Sequence, residues 1–453
     1  MAGELVQDIL ILSNGPGEVS TWVRPVVRSL KQLPEVANSQ PKKLRISVVL
    51  SPCAHAMGTE KRVVESFPEV DRVQGPEHFW RFLLWGKTAE NWDWSDRGVV
   101  LFLGGDQFFS VVIGKRLGYR ILTYAEREVR WLSWIDGAAI ARPTTTAAPN
   151  PKTNSKVRPI GDLMVDAAQT PLPNALTETQ LLRLTSSHQN NLKLSEAKSK
   201  AQSPTQSETQ PKVQWVGLLP GSKAAKLMQG VPLMLATAEV LARSHPHVRC
   251  IIPVAPTLSL SELARYGDRH HNPILTNLGN VTARLMTPSD QTLPYLETDS
   301  GTKVYLWKRS PAYDLLQQCT VCLTTVGANT AELAAIAVPM VVILPTQQLD
   351  AMRAWDGVPG LLAQLPGVGA LIARMINQQA LKRLGLLSWP NIWAQKAIVP
   401  ELVGPLTPND IAHALQPWLE NPGKNRNLRN LLKETCGTSG ASKYLAKWAQ
   451  DLL

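Results

Sequence analysis

Short apolar runs bounded by glycine or proline alternate with longer mixed segments along most of this chain. They lie at 9–12, 44–50, 99–103, 120–124, 215–219, 248–254, 321–323 and 339–345. Uninterrupted apolar runs are typical of parallel strands covered on both faces, and their alternation with helices indicates a doubly wound sheet. A polar stretch near the middle of the chain separates two sets of such runs. The pattern therefore predicts an α/β protein with two doubly wound parallel-sheet domains.

Composition divides the chain into four predicted segments. These are an N-terminal α/β domain at 1–169, a low-complexity linker or surface insertion at 170–212, a second α/β domain at 213–405, and C-terminal helices at 406–453. The linker is rich in Ser, Thr, Gln and Asn, and only 176–184 within it has a helical pattern. We expect the C-terminal helices to cross back to the N-terminal domain.

The most informative turn is the sequence Thr-Thr-Val-Gly-Ala-Asn-Thr-Ala-Glu-Leu at 324–333. It follows a predicted strand and opens a helix, and Gly327 would let the backbone turn sharply and approach a ligand. The N-terminus of the helix would then favour a phosphate group. Glu332, one turn further on, could hold a ribose. The other reading of this segment, a packing glycine between strand and helix, stays open on this evidence alone.

Two glycine-containing segments in the N-terminal half also come directly after predicted strands, as the turn at Gly327 does. Gly15–Glu18 follows the first predicted strand, and Gly104–Asp106 follows another. In doubly wound sheets, ligands bind beyond the carboxyl ends of the strands. We therefore expect both segments to lie at the ligand-binding edge of the first domain.

The net charge and the cysteine content indicate which binding partners and which cellular compartment to expect. The 453 residues carry a net charge of +11 and an isoelectric point near 9.4, which suits a phosphorylated substrate or an anionic membrane surface. The basic residues are dispersed and no zinc-finger or RNP-type motif occurs, so nucleic acid is the weaker choice. The sequence has no apolar run of about 18 residues, no basic signal-peptide start, and five scattered cysteines. We expect a cytoplasmic protein, or one peripheral on the inner face of a membrane, in which Cys319 and Cys322 are buried small residues.

The second half carries an ordered set of motifs. Leu-Leu-Pro-Gly-Ser-Lys at 218–223 is followed by His-Pro-His at 245–247, the turn at 326–332, Pro-Met-Val-Val at 339–342, Ser-Trp-Pro-Asn at 388–391 and Val-Pro-Glu-Leu at 399–402. This order resembles the lipid-A-disaccharide synthase family, whose motifs include LLPGSR, SGTxTLE, PMVV and SLPN. The resemblance implies the GT-B architecture, in which two doubly wound domains face a cleft.

The first half resembles that family less closely. The loop containing Gly15, Gly17 and Ser20 is similar to the family's GEASGD loop, the segment at 104–106 to its GIDAPDF, and 158–166 to its VGHPLVD segment. Three departures stand out: Lys223 replaces an arginine, Lys226 replaces an acidic residue, and Asp162 replaces a histidine. The chain looks like a divergent, synthase-related group of the kind found in cyanobacteria.

The resemblance implies an inverting, metal-independent glycosyltransferase that uses a nucleotide-sugar, with a UDP-sugar as the expected donor, and no cofactor. The implied donor-site residues are Gly221, Ser222, Lys223, Gly327, Ala328, Asn329, Thr330, Glu332 and Asn391. Backbone N–H groups and Lys223 would stabilise the diphosphate leaving group. Asp106 is the first candidate for the base that deprotonates the acceptor, with Glu18 and Asp162 as alternatives. Asp106 could instead cap the following helix.

An aromatic segment at 78–85 suggests a membrane contact. Its candidate residues are Phe79, Trp80, Phe82, Leu83 and Trp85. Tryptophan is favoured at the lipid interface, and a basic protein is attracted to anionic lipid. The alternative is that this helix only packs on its own domain.

Three functions remain open at this point. The first is a glycosyltransferase acting on a lipid or other amphiphilic acceptor at a membrane surface. The second is a soluble epimerase of UDP-N-acetylglucosamine with the same kind of fold. The third is a non-catalytic descendant that keeps the fold and binds a partner, which the replacements at Lys223, Lys226 and Asp162 would favour.

Overall fold

The computed structural model describes residues 5–33, 42–53, 58–126, 128–142, 155–170, 175–185, 212–288, 292–346 and 385–453. Most of the predicted linker, at 171–174 and 186–211, lies outside the described residues, as does 347–384 of the second predicted domain. The chain divides into two compact units, Met1–Thr170 with Cys436–Leu453, and Pro171–Thr435.

Unit 1 is built on a seven-stranded parallel sheet in the order β3-β2-β1-β4-β5-β6-β7. The strands are β1 Leu5–Ser13, β2 Lys42–Leu50, β3 Arg72–Gln74, β4 Gly98–Phe102, β5 Arg120–Ala125, β6 Gly137–Ile140 and β7 Val157–Pro159. The helices are α1 Pro16–Glu18, α2 Arg24–Lys31, α3 Glu60–Glu65, α4 Phe79–Trp85, α5 Gln107–Leu117 and α6 Leu163–Gln169. A π-helical turn, Val19–Val23, joins α1 to α2.

Alternation along β1 shows why this sheet is covered on both faces. Ile9 and Ile11 enter one core with α2, whereas Leu10 and Leu12 enter another with α4 and α5. All four side chains are buried. Successive strand residues point to opposite faces, so an uninterrupted apolar run requires packing on both sides.

Unit 2 contains an eight-stranded sheet in the order β10-β11-β12-β9-β8-β13-β14-β15. The strands are β8 Gln214–Leu219, β9 Val248–Pro253, β10 Ala283–Met286, β11 Tyr295–Thr298, β12 Lys303–Trp307, β13 Cys319–Thr325, β14 Met340–Pro345 and β15 Glu401–Gly404. The helices are α7 Glu178–Thr185, α8 Ala224–Ser244, α9 Leu260–Arg265, α10 Tyr313–Gln318, α11 Ala328–Ala335, α12 Trp389–Ala394, α13 Pro408–Glu420 and α14 Pro422–Cys436. Among the strands that the structure describes in this unit, antiparallel pairing is confined to β10, β11 and β12.

The domain boundaries differ from the prediction at two places. Only the last helix, α15 Ala441–Leu452, packs within unit 1, whereas α13 and α14 fall in unit 2. The Ser442 hydroxyl accepts a hydrogen bond from Ser29 at 2.9 Å, and the Asp166 carboxylate accepts from the Ser442 amide at 2.6 Å. In addition, α7 of the predicted linker belongs to unit 2, where the Leu176 amide donates to Asp314 at 2.7 Å.

Each sheet has one point at which the strand order reverses. In unit 1 it lies between β1 and β4, and in unit 2 between β8 and β13. Loops leave neighbouring strands in opposite directions at such a point and open a crevice at their carboxyl ends, where doubly wound proteins bind ligands. The glycine segments identified in the sequence all follow one of these four strands.

Two further observations concern membrane spans and thiols. Among the helices that the structure describes, none has the length and apolarity needed to span a bilayer. The five cysteines are free thiols, and Cys319 and Cys322 are buried in β13, as the sequence predicted.

Candidate functional site

The donor-site candidates gather at the carboxyl edge of β8 and β13 in unit 2. These strands are direct neighbours, with Leu219 paired to Thr324. The turn at 220–223 leads into α8, and the turn at 326–327 leads into α11. Two helix N-termini therefore open at the same edge, and each presents the positive end of its dipole and N–H groups without intrahelical partners.

Lys226 connects the two turns. Its aliphatic chain lies against Gly221, where an added Cβ would come 3.1 Å from Cδ. Its ammonium lies against Gly327, 2.8 Å from the position of an added Cβ, and donates to the Val326 carbonyl at 2.6 Å. Both glycines have positive φ, +97° and +148°. A side chain at either position would be strained and would also displace Lys226.

Burial and charge make this lysine receptive to an anion. Desolvation, followed by the nearby positive charge of Lys223, lowers the pKa of the Lys226 ammonium. A negatively charged group at the turn would offset both effects, because it favours the charged form of the ammonium. Lys223 itself is exposed and occupies the N-cap position of α8.

A polar atom without a partner faces the same turns. Thr325, the last residue of β13, is 6% exposed, and its hydroxyl makes no hydrogen bond in the described part of the chain. The hydroxyl lies 3.4 Å from the Cβ position at Gly221. Because a buried hydroxyl without a hydrogen bond is unfavourable, a ligand oxygen at this edge would satisfy it. Ser222 and Ala328 are exposed here, and Asn329 is half-buried.

Thr330 supports the turn and is not available to a ligand. It is fully buried, and its hydroxyl donates to the Gly327 carbonyl at 2.8 Å while accepting from the Trp389 amide at 3.1 Å. The predicted role of Thr330 in nucleotide binding is therefore replaced by a structural one. The hydroxyl links the Gly327 turn to α12.

Asn391 is also internal, which argues against the predicted contact with the nucleotide. Its side-chain oxygen accepts from the Ile398 and Val399 amides at 2.7 and 2.9 Å. Its side-chain nitrogen donates to the Val399 carbonyl and to Glu401 at 2.9 and 2.6 Å. An amide can make four such bonds, so Asn391 has no capacity left.

Glu401 organises this segment from β15. Its carboxylate accepts from the Ser388 amide at 2.8 Å, from the Ser388 hydroxyl at 2.6 Å, from the Leu387 amide and from Asn391. This set of donors fixes the start of α12, whose first amide then bonds Thr330. A chain of hydrogen bonds thus runs from Glu401 to the Gly327 turn.

Glu332 is a half-buried carboxyl on α11. Desolvation raises its pKa to about 7, and no other cause contributes. No hydrogen bond or ion pair to its side chain occurs within the described residues. Such a carboxyl is suited to accept hydrogen bonds from hydroxyl groups of a ligand.

The corresponding edge of unit 1 brings together three strand ends. An added Cβ at Gly104 would lie 2.9 Å from the Asn14 side-chain oxygen and 3.2 Å from the Glu18 Cβ, and one at Gly105 would lie 2.7 Å from the Ser51 hydroxyl. Both glycines have positive φ. The edge is therefore closely packed around Asn14, Glu18 and Ser51, and only glycine fits at 104 and 105.

The carboxylates predicted as bases occupy different environments. Glu18 is half-buried and lies over Gly15, whereas Asp106 is exposed and caps α5 by accepting from the Phe108 amide at 2.9 Å. Both follow strands at the reversal point. Gly17 and Ser20 belong to the same helical entry, where Gly17 is exposed and Ser20 lies in the π turn. Such π turns are frequent at functional sites.

Asp162 does not share this exposed edge. It is 4% exposed, caps α6 through the Met164 amide at 2.9 Å, and lies 3.8 Å from the Arg142 guanidinium. Desolvation raises the pKa of its carboxyl. Because the side chain is buried in a structural cap, Asp162 is corrected from a candidate base to a structural residue.

The predicted membrane residues divide into two groups. Phe79, Phe82 and Leu83 are buried in the core beneath α4, so their predicted membrane contact is wrong. Trp80 and Trp85 are exposed. Helix α4 is therefore amphipathic, with one face packed on its own sheet and the other exposed.

Sequence reasoning missed the roles of Lys226, Thr325 and Glu401. Lys226 appeared only as a departure from the family pattern. Its spacing, three residues after Lys223 at a helix start, was a usable signal, because i and i+3 positions share a helix face. Nothing in the sequence showed that Glu401 would accept hydrogen bonds from 387–391.

Curated sequence relatives agree with the family resemblance stated from the sequence. The chain is 26% identical over 243 residues to lipid-A-disaccharide synthase from Geobacter sulfurreducens and 25% identical over 242 residues to that from Geobacter metallireducens, covering 52% of this chain and 49% of each relative. It is 32% identical over 78 residues to that from Anaeromyxobacter sp. (strain K), covering 17% of this chain and 20% of the relative. The chain thus matches about half the length of the first two relatives. No protein-family model matches it. A cyanobacterial affiliation stays a prediction.

Solved structures agree with the predicted architecture. A putative UDP-N-acetylglucosamine 2-epimerase from Listeria monocytogenes superposes with a TM-score of 0.50 at 13% identity, covering 97% of this chain and 94% of that one. Another UDP-N-acetylglucosamine 2-epimerase gives 0.50 at 11% identity, covering 98% and 94%. At such identities the likeness concerns the fold, and it confirms the predicted class of two doubly wound α/β domains. This chain is thus similar in sequence to lipid-A-disaccharide synthases over about half its length, and its fold is that of two doubly wound α/β domains.

Proposed function

We propose that this protein is an inverting, metal-independent glycosyltransferase that moves a sugar from a nucleotide-diphosphate donor to a lipid or other amphiphilic acceptor. UDP is the proposed nucleotide, and the cytoplasmic side of a membrane is the proposed place of action. The observation that carries the proposal is Lys226, which lies across two glycine turns where two helix N-termini open. The names of the curated relatives support the reaction class.

The chemistry of the turn suits a diphosphate leaving group. Cleavage of the bond between the sugar and the diphosphate leaves negative charge on the phosphate oxygens. The Lys226 ammonium, the amides at the start of α11 and the Thr325 hydroxyl would be fixed donors for that charge. We call these three sets of donors the phosphate cradle. Donors that are already oriented stabilise developing charge without reorganising during the reaction.

Residues outside the phosphate cradle receive separate roles. Glu332 would accept hydrogen bonds from the ribose hydroxyls, and the exposed Lys223 would add a second positive charge. We assign the base that deprotonates the acceptor to Glu18 or Asp106, which follow the strands at the reversal point of unit 1.

Replacing Lys226 tests the cradle. Lys226→Gln should weaken UDP binding about 10- to 100-fold, since a charged hydrogen bond to phosphate contributes roughly 1.5–3 kcal/mol. Calorimetric titration with UDP measures the effect. Lys433→Gln, which changes an exposed lysine on α14 of the same unit, should bind UDP like the unchanged protein. Equal affinities in all three proteins would contradict the cradle.

Product analysis then separates the candidate functions. Incubation with UDP-sugars and a detergent-dispersed lipid acceptor should release UDP only when the acceptor is present. Epimerisation of UDP-N-acetylglucosamine without an acceptor would instead identify the second candidate activity. A protein that binds no nucleotide and turns over no UDP-sugar would be a non-catalytic descendant.

A further inference from the structure

A small cavity opens in unit 1 where the edge strand β3 ends. Its volume is about 60 Å³, and its lining includes Lys61, Gln74, Glu77, His78, Glu90 and Trp92. In the sheet, β3 is separated from β1 by β2, which places it roughly 10 Å from β1 at the ordinary strand spacing. The sheet therefore sets this cavity apart from Glu18 and Asp106, which follow β1 and β4.

The Gln74 side chain provides a donor without a partner at the wall of the cavity. The residue is only 2% exposed, and its side-chain oxygen accepts from the Ala89 amide at 2.9 Å. This bond fixes the orientation of the carboxamide. The side-chain nitrogen has no hydrogen-bond partner within the described residues. Because a buried N–H group without an acceptor is unfavourable, a ligand oxygen in the cavity would stabilise this arrangement.

Carboxylates and an indole ring line the outer part of the cavity. Glu77 and Glu90 are exposed, and the Glu77 carboxylate folds back over Gly75, where an added Cβ would lie 2.2 Å from Oε2. The half-buried Trp92 donates from its indole nitrogen to Glu90 at 3.2 Å. The Arg72 guanidinium lies 4.7 Å over the same ring and holds it in place. The cavity thus has acceptors and a fixed apolar wall beside the Gln74 donor.

The size and the charges of the cavity select the chemistry of its ligand. A volume of about 60 Å³ equals the share of roughly two water molecules in the liquid, so two small polar groups fit inside. A phosphate or carboxylate would meet the negative charges of Glu77 and Glu90. An ammonium group would lie near Lys61 and would leave the Gln74 nitrogen without an acceptor. A hydroxyl group both donates and accepts, so it suits both kinds of side chain.

We propose that this cavity binds two adjacent ring hydroxyls of a saccharide. Gln74 and Lys61 donate to the hydroxyl oxygens, and Glu77 accepts from the hydroxyl hydrogens. The rest of the sugar ring stays outside the cavity, where its C–H groups pack against Trp92. A free sugar and a sugar joined to a lipid present the same pair of hydroxyls. The site is additional to those of the proposed function and does not rest on them.

Ligand-observed NMR titration with methyl glycosides tests the site. Methyl glucoside, methyl mannoside and methyl galactoside present differently oriented pairs of hydroxyls, and at least one of them should bind the unchanged protein. Cyclohexylmethanol, which has a ring but a single hydroxyl, should not bind. Comparison of methyl glucoside with octyl glucoside below its micelle concentration distinguishes the sources of the sugar. Equal affinities support a free saccharide as the ligand, and tighter binding of the octyl compound supports a lipid-linked one.

Two conservative variants change the cavity without disturbing the core. Gly75→Ala should weaken glycoside binding on the order of tenfold or more, since the added methyl group displaces the Glu77 carboxylate. Gly75 has a φ of −75°, which alanine adopts without strain. Glu77→Gln should weaken binding about three- to tenfold, because hydrogen bonds to a charged acceptor are the stronger ones. Glu128→Gln changes an exposed carboxylate elsewhere in unit 1 and should bind like the unchanged protein.

The outcomes separate this site from the donor chemistry. Glycoside binding that is retained by Lys226→Gln and weakened by Gly75→Ala and Glu77→Gln supports the site whatever becomes of the transferase. Equal thermal unfolding of the variants shows that they are folded. The inference is overturned if none of the glycosides binds, or if both cavity variants bind them like the unchanged protein. Displacement of a bound glycoside by tetramethylammonium would also overturn it and would assign the cavity to a cation.

Discussion

At the scale of single residues, the carboxyl of Glu332, near the carboxyl edge of β8 and β13, has a pKa well above its ordinary value. Its carboxyl is desolvated and makes no hydrogen bond within the described structure, so its pKa rises to about 7. The folded protein therefore retains a proton that the unfolded chain releases at lower pH. The stability associated with this group is present in acid and declines as pH rises from about 4.5 to about 7. Its full size is roughly 3–4 kcal/mol.

A ribose hydroxyl that donates to this carboxyl would favour the ionised form. UDP affinity should therefore decrease as pH falls below about 7, by up to roughly tenfold per unit. Glu332→Gln should remove this dependence and stabilise the free protein above pH 7 relative to the unchanged protein. Titrations between about pH 5.5 and 8 measure the first effect, and chemical denaturation at both ends measures the second. Glu434→Gln on α14 is the matched control, and an unchanged pH slope in Glu332→Gln would remove the residue from the site.

Among the elements of unit 2, the short helix α12 depends on a single carboxylate. Glu401 receives bonds from three groups of 387–388 and from Asn391, and the Trp389 amide then bonds Thr330 beside the Gly327 turn. Glu401→Gln replaces one acceptor oxygen with a donor that faces other donors. We expect it to lower the free energy of unfolding by about 2–4 kcal/mol. UDP affinity should fall as well, because the turn loses its support.

Denaturant unfolding and UDP titration of the same samples check this prediction. Glu297→Gln is a suitable control, since Glu297 is a half-buried carboxylate on β11 of the same sheet. A variant with normal stability and normal UDP affinity would show that α12 does not support the turn. Loss of stability with unchanged affinity would separate α12 from the binding site.

The same elements show how far sequence reasoning reaches. The strands, the glycine turns and the helix starts follow from local rules, because apolar runs and glycine positions constrain the backbone directly. The role of Asn391 does not follow from local rules. A polar residue in a motif can either bind a ligand or hydrogen-bond to backbone groups of its own segment. Phe79, Phe82 and Leu83 were misassigned for a similar reason. The apolar residues of α4 occupy both sides of the helix, and composition cannot tell which side faces the sheet.

At the scale of the whole molecule, the chain leaves unit 1 near residue 170 and returns to it at 436. The returning helix α15 contributes Leu445, Ala446, Trp448 and Ala449 to the core that contains Ile9 and Ile11. Residues from both ends of the chain must therefore meet before this core is complete. Contacts between segments so far apart in the sequence carry a high entropic cost of loop closure. The stability of this core should therefore depend strongly on the packing of α15.

Leu445→Ala tests this dependence. Leu445 is fully buried, so the substitution should lower the free energy of unfolding of unit 1 by about 2–5 kcal/mol through lost burial and a residual cavity. Lys443→Ala changes an exposed position on the same helix and should stay within about 0.5 kcal/mol of the unchanged protein. Limited proteolysis across a denaturant series reports the two units separately by the fragments that persist. Unit 1 fragments of Leu445→Ala should vanish at lower denaturant than those of Lys443→Ala. If both variants lose unit 1 at the same concentration, α15 is an appendage and not part of the core.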